Sequence, residues 1–177
     1  MPEVNIRAAQ KADLPRIKSF LKVVDRDFYP SLSERGSLGK MSRRFTLGKK
    51  YRCFLMESGS YPESLMGIAV YIKPWKTDSD AFIKILAVRP DIRGGGFGSM
   101  LRKEVLERIS KEGAKEVYAT TWSTYSRMIH INRKMGFRIH KIVKNDRGPG
   151  MHTLVFRKIL KDVKPAHSRI SSSPRPG

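Results

Sequence analysis

The chain has 177 residues, 40% of them apolar and 29% charged, which is the composition of one globular domain with its own core rather than of a disordered or fibrous protein. Its single cysteine, Cys53, excludes an internal disulfide, the four scattered histidines show no metal-ligand spacing, and no apolar run approaches the ~20 residues of a membrane span. Thirty-six Lys and Arg against 16 Asp and Glu give a net charge of +20, which fits a polyanionic partner or plain solubility and carries no information about fold.

In chain order, V-N-I-R-A-A alternates like a short strand, and a helix is expected over Lys11 to Val24. There Asp13 can cap, Pro15 sits in the first turn, and Ile17, Phe20, Leu21 and Val24 form an apolar stripe. Residues 25 to 50 are basic and weakly periodic, and read as a partly helical connection. Y-R-C-F-L-M-E is a strand, Ser58 to Glu63 a turn, and S-L-M-G-I-A-V-Y-I-K the hairpin partner. Pro74 to Ser79 turns again before a third buried strand, A-F-I-K-I-L-A-V.

Downstream, Phe97, Leu101, Val105 and Ile109 recur every four residues, and Gly113 stands where a helix C-cap belongs. K-E-V-Y-A-T-T-W is a strand, Tyr125 to Met135 a second amphipathic helix ending at Gly136, and F-R-I-H-K-I-V a further strand. Asn145 to Gly150 turns, and M-H-T-L-V-F-R-K-I-L pairs back. The segment 161–177, with its S-S-S-P-R-P-G, has the composition of a basic disordered tail, which leaves residues 1–160 as the domain. The alternation of strands and helices predicts an α/β or α+β order with a hairpin at each end.

The positive charge clusters in two places. Residues 40 to 52 hold six cations and no acid, and residues 127 to 147 hold seven, with Asp146 the lone acid. Such stripes fit nucleic acid, or a substrate carried on a ribonucleoprotein, although no RNA-binding signature with interleaved aromatics is present. The N-terminus M-P-E-V-N-I-R lacks the apolar core of a signal peptide, so a cytoplasmic protein is expected.

One stretch demands a specific explanation. V-R-P-D-I-R-G-G-G-F-G-S places Gly94, Gly95, Gly96 and Gly98 between a strand and a helix. The first amides of a helix have no internal partner and its N-terminus carries partial positive charge. Glycines there let a diphosphate approach the backbone, so strand, glycine bend and helix together form a phosphate cradle. A plain chain-reversing turn is the alternative. A P-loop is excluded because Met100 follows Gly98-Ser99, and the spacing of Gly94, Gly96 and Gly98 does not fit a dinucleotide fingerprint.

Val88-x-Pro90-x-x-Arg93-x-x-Gly96-x-Gly98 resembles the R/Q-x-x-G-x-G/A motif of the GNAT superfamily of N-acetyltransferases, with the downstream Gly136-Phe137 as a second landmark. The resemblance spans roughly residues 4 to 160 and includes the opening I-R-A-A-Q-K-A-D-L. It implies a mixed, mostly antiparallel sheet flanked by helices and splayed between its fourth and fifth strands, with acetyl-CoA as co-substrate in the split. The pantetheine arm is then expected along Leu86, Ala87 and Val88, and the diphosphate on the amides of Arg93, Gly94, Gly95, Gly96, Phe97, Gly98 and Ser99. Dimers are common among relatives, so a homodimer is an expectation of the same kind.

Catalysis by direct attack needs a neutral amine and an acid for the leaving thiolate. The family often places a tyrosine four residues before the Gly of Gly-Phe, and here that residue is Asn132. Asn132 is therefore either a satisfied buried amide or a contact to the pantetheine or thioester end of the cofactor. Tyr125, in the slot of a frequent cofactor-binding Asn, is a candidate to supply the missing hydroxyl, with core packing or exposure as the alternative. Lys84 stands where many relatives carry an acid nearby, and Asp80, Glu57 and Glu116 are candidate bases by proximity alone. A chain without a strong base favours an α-amine acceptor over a lysine, because far more of the α-amine is neutral at pH 7. The acceptor is not named by the sequence. Rival readings are a catalytically decayed CoA-binding module and a nucleic-acid-binding protein on the same scaffold.

Overall fold

The computed structural model describes residues 3–36, 38–59 and 65–160. Most of the expected turn at Ser58 to Glu63 and the whole 161–177 tail lie outside the described residues. The chain runs β1 (Val4–Ala8), α1 (Leu14–Val23), α2 (Leu38–Leu47), β2 (Tyr51–Ser58), β3 (Gly67–Ile72), β4 (Asp80–Val88), α3 (Phe97–Lys111), β5 (Glu116–Trp122), α4 (Ser126–Lys134), β6 (Arg138–Val143) and β7 (Thr153–Ile159). The seven strands form one sheet in the order β1-β2-β3-β4-β5-β7-β6. Every pairing is antiparallel except β4 with β5, so the mixed, mostly antiparallel α/β sheet expected from the resemblance is present.

Helices cover both faces, and the period of two along each strand sorts side chains between them. On β2, Phe54 and Met56 face a core built with Leu101, Val105 and Ile109 of α3, while Cys53 and Leu55 face one built with Ile17, Phe20, Leu21 and Phe45 of α1 and α2. β3 divides likewise, with Ala69 and Tyr71 on one side and Ile68 and Val70 on the other. Burial on both faces is why these strands read as nearly continuous apolar runs. None of the helices among the described residues is long and apolar enough to cross a membrane.

Two local features position the site. The register between β3 and β4 slips between Val70 and Tyr71, which pair with Ile85 and Ile83, so Lys84 is the extra residue of a β-bulge. The bulge turns Lys84 out of the ladder and exposes it in an otherwise buried strand. At the end of α4, Gly136 adopts φ 80°, and the N–H groups of Gly136 and Phe137 donate to the carbonyls of Arg133 and Asn132. This Schellman closure ends the helix and sends Phe137 into the core at 1% exposure, fixing the last turn and with it Asn132.

Asp13 does not act as the simple helix cap expected from the sequence. It closes a short 3-10 turn, Lys11–Asp13, by accepting the Gln10 N–H at 2.7 Å, and both its oxygens accept from Arg7 at 2.8 Å. Arg7 also reaches Glu57 at 2.8 Å, and Arg16 reaches Glu57 at 2.6 Å. A buried carboxylate needs partners that a lone cap position cannot supply, and this cluster ties β1, the start of α1 and β2 together. The Arg7 guanidinium holds the Asp13 carboxyl down at about 2. Because the folded value lies below the unfolded one, the resulting stability is fully present above about pH 4 and is lost as pH falls towards 2. It amounts to something on the order of 2 kcal/mol. Urea unfolding of Asp13→Asn is expected to show about 1–2 kcal/mol lower stability at pH 7 and a flatter acid limb between about pH 4 and pH 2.

Candidate active site

β4 and β5 pair only from Asp80↔Glu116 to Ile83↔Ala119 and then diverge. Beyond that apex the backbone of β4 loses its neighbour on one side. The Arg89 N–H donates to Met66 O at 2.9 Å, so by alternation Ala87 and Ile85 also face β3, while Leu86 and Val88 direct their N–H and C=O groups into the gap. The gap is a cleft of about 300 Å³ walled by β4, β5, α3 and α4. Unpaired main-chain groups along an open strand edge are a template for an extended, amide-bearing chain.

The glycine bend closes one end of this cleft. Gly94 and Gly96 take φ 94° and 81°, conformations that side-chain-bearing residues avoid, and a Cβ at either would meet no atom within 4 Å. Their glycines serve the backbone's direction and leave open space above it. Gly96 is the N-cap of α3, which no side chain caps, and the helix starts at Phe97. The first helical bond is Met100 N–H to Gly96 O at 3.0 Å. The amides of Gly94 through Ser99 therefore donate to no acceptor among the described residues. The Arg93 N–H is directed at Pro90 O at 3.4 Å, so the free donors begin one residue later than expected.

The Arg93 side chain is a bracket. Its Nε donates to Val88 O at 3.1 Å, and its two Nη atoms bind the Asp27 carboxylate, one at 3.1 Å and the other in a shorter contact. It joins the end of β4 to the segment after α1. Asp27 is the one carboxylate among the described residues lining the cleft, and it is already engaged by this cation.

The α3 and α4 wall contains a group that the sequence reading did not single out. Arg102, 3% exposed, donates to Asn132 Oδ1 in a short contact and to Met128 Sδ at 3.5 Å, and its guanidinium lies 5.7 Å from the Phe137 ring centroid. Its Nε has no partner among the described residues. No carboxylate pairs with it, and burial pulls its pKa down to about 10. Asn132, 1% exposed, is thus a buried amide engaged by a cation, and it lines the cleft as well. Thr121 Oγ1 on β5 is buried without a partner among the described residues. A cleft wall holding an uncompensated cation and orphan polar atoms is unfavourable when empty and suited to a polar occupant.

Tyr125, immediately before α4, lines the same cleft, with its ring stacked on Trp122 at 4.6 Å. Its hydroxyl makes no hydrogen bond among the described residues. The three candidate bases, by contrast, lie elsewhere. Glu57 belongs to the Arg7 and Arg16 cluster, Glu116 accepts from Arg157 and from the Tyr118 hydroxyl, and buried Asp80 pairs at the far end of β4, before the sheet divides. Sequence proximity placed them near the cofactor strand, but the strand's direction carries them away from its open end. Cys53 is 6% exposed on the α1 and α2 face, and burial pushes its thiol up to about 12.

The family model for the acetyltransferase (GNAT) family matches residues 19–137, two-thirds of the chain and the entire split, bend and Gly-Phe closure. The chain belongs to the GNAT acetyltransferase family. It is by that membership an acyltransferase, and the family's co-substrate is acetyl-CoA. No curated protein matches it by sequence. Solved GNAT structures share the fold at low identity. The ribosomal-protein-S18-alanine N-acetyltransferase from Escherichia coli is 15% identical with a TM-score of 0.74, covering 93% of this chain and 98% of its own. NAA60 from Arabidopsis thaliana, solved with a bisubstrate analogue, is 16% identical with a TM-score of 0.72, covering 90% and 99%. A GNAT acetyltransferase from Elizabethkingia anophelis with acetyl-CoA bound is 18% identical with a TM-score of 0.68, covering 89% and 98%.

Two glycine variants separate backbone geometry from open space. Gly98 has no positive φ, and a Cβ there would sit 3.8 Å from Val88 Cγ2, an ordinary contact. Gly98→Ala is expected to keep acetyl-CoA binding and to gain roughly 0.5–1 kcal/mol of stability in urea unfolding. Gly96→Val forces a β-branched residue into φ 81° above the free amides. It is expected to lower acetyl-CoA affinity at least 100-fold in calorimetry while retaining the far-UV signal of a folded chain.

Proposed function

We propose that this GNAT protein is an N-acetyltransferase that moves acetyl from acetyl-CoA to a primary amine by direct attack in a ternary complex. The observation that carries the reading is the conjunction of free amides at Gly94 to Ser99 with the β4 edge beyond its last β5 pair, where Leu86 and the Val88 N–H face the gap and Val88 O is taken by Arg93 Nε. The bend suits a diphosphate, with no side chain in the way. The open edge suits the two amides of a pantetheine arm, with Asn132 and Arg102 on the opposite wall. Leu86, Ala87, Val88, the Arg93–Ser99 bend and Asn132 are accordingly the proposed cofactor contacts.

In this reaction the amine nitrogen bonds to the thioester carbon, the C–S bond breaks, the thiolate takes a proton and the amine gives one up. Cys53 takes no part as a nucleophile, since it lies buried on the other face as a neutral thiol. Tyr125 is the proposed proton donor to the leaving thiolate, on the ground that the residue lines the cleft and its hydroxyl makes no hydrogen bond among the described residues. Asn132 carries no dissociable proton, and Arg102 beside it adds positive charge to the wall where negative charge develops. With Asp27 held by Arg93, no free carboxylate among the described residues lining the cleft awaits the amine's proton. The amine must therefore arrive neutral or release its proton to water. At pH 7 an α-amine is roughly 10% neutral and a lysine under about 0.1%. The shared fold with an enzyme named for the alanine of a ribosomal protein is in keeping with a protein-borne acceptor.

Tyr125→Phe is expected to lower kcat about 100-fold with acetyl-CoA affinity unchanged. An unchanged kcat would remove Tyr125 from the mechanism. In assays of acetyl-CoA consumption at pH 7, α-amine acceptors are expected to react at least 10-fold faster than matched ε-amines, and equal rates would count against a base-free site.

A further inference from the structure

The far end of the cleft carries charge that neither the cradle nor the fold accounts for. Lys84 is the first β4 residue past the last β4–β5 pair, so it stands at the apex of the split. It is four residues, or about 13 Å of strand, from Val88 and the glycine bend. A carrier arm seated on the bend and running along β4 brings its reactive end towards Lys84, whereas its phosphates stay at the other end. The positive charge around Lys84 is therefore not needed for the diphosphate.

Lys84 is not alone. Arg35, from the segment between α1 and α2, and Arg147, from the β6–β7 turn, line the same cleft. Both guanidinium groups donate to one carbonyl, Tyr29 O, Arg35 at 2.6 Å and Arg147 in a shorter contact. Arg35 also donates to Pro30 O at 3.0 Å, and Arg147 to Thr153 Oγ1 at 2.9 Å. Two cations thus converge on a single neutral oxygen. Among the described residues no carboxylate forms an ion pair with Arg35, Lys84 or Arg147, and Lys84 has no hydrogen-bond partner at all. Asp146, next to Arg147 in the chain, acts on it electrostatically without forming an ion pair, and its carboxylate accepts from Thr153 Oγ1 at 2.6 Å. Burial, with mutual repulsion second, holds both Arg35 and Lys84 below their ordinary pKa values, Arg35 against Arg147 and Lys84 against Arg35 and Arg44. Three like charges with no ion-paired carboxylate among the described residues are unfavourable unless an anion completes the set.

We propose that the acceptor is an amine bearing its own carboxylate or phosphate, and that Arg35, Lys84 and Arg147 bind that anion beside the reacting nitrogen. The assignment rests on the acetyl-transfer reading above. The same cations assist the chemistry, because positive charge disfavours the ammonium form of an amine held among them. An acceptor with only a positive charge would be repelled, and a neutral one would leave the cations uncompensated. The site so defined selects by charge and leaves the amine free to attack.

The test uses matched acceptors that differ by one anionic group: peptide amides beginning with Asp or with Asn, and phosphoethanolamine against ethanolamine. With the intact chain, kcat/KM is expected to be at least 10-fold higher for the anionic member of a pair. Discrimination in the peptide pair assigns a carboxylate-bearing acceptor, and discrimination in the phosphate pair assigns a phosphate-bearing one. Lys84→Glu is expected to lower kcat/KM for the member that carries the anion at least 10-fold more than for the member that lacks it. Acetyl-CoA binding by calorimetry on both proteins keeps the two readings apart. If acetyl-CoA binds but neither pair is discriminated, or Lys84→Glu weakens both members equally, the anion site is wrong and the transferase stands. If acetyl-CoA does not bind the intact chain, both fall together.

Discussion

Four pairs of residues hold β4 to β5, and then the ladder stops. The cleft between the two strands begins at that interruption. A sheet interior normally satisfies its peptide groups completely, and a buried orphan costs free energy comparable to a lost hydrogen bond. Here Leu86 and Val88 face a gap instead of a strand, and the gap continues into a bend whose amides are also unused. The seven-stranded sheet and its two cores supply the stability that lets this defect persist. Below the apex the sheet is an ordinary structural element, and above it the same two strands are walls.

Charge follows the same division. The carboxylates of the described chain are largely drawn into structural pairs: Asp13 and Glu57 with Arg7, Glu116 with Arg157, and Asp27 with Arg93. The cleft keeps cations with no ion-paired carboxylate among the described residues, with Arg102 buried in one wall and Lys84, Arg35 and Arg147 in its lining. The large positive excess of the sequence therefore has a local component inside the cleft in addition to any role on the surface.

How much of this was legible in the residues depended on whether the backbone or the tertiary fold made the demand. The glycine bend could be read directly, since Gly94 and Gly96 answer to φ values that other residues avoid, and residue type encodes that locally. Gly136 and Phe137 were legible for the same reason. Arg102 was not. It follows Leu101 on the apolar stripe of α3, and a flank position on a helix reads as solvated until the gap beneath it is known. Lys84 looked like one polar residue in a buried strand, because nothing in the run of residues marks a bulge. Arg35 and Arg147 sit in irregular segments more than a hundred positions apart, and only the shared Tyr29 carbonyl shows that they meet. The proposed bases failed in the opposite way, since closeness along the chain said nothing about which end of β4 opens.

Arg93 has a mechanical consequence. Its one side chain touches the last carbonyl of β4 and a carboxylate of the segment that also carries Arg35. The glycine bend and the segment between α1 and α2 that carries Arg35 are therefore tied to the end of β4 through one guanidinium, and loss of that side chain would free both at once.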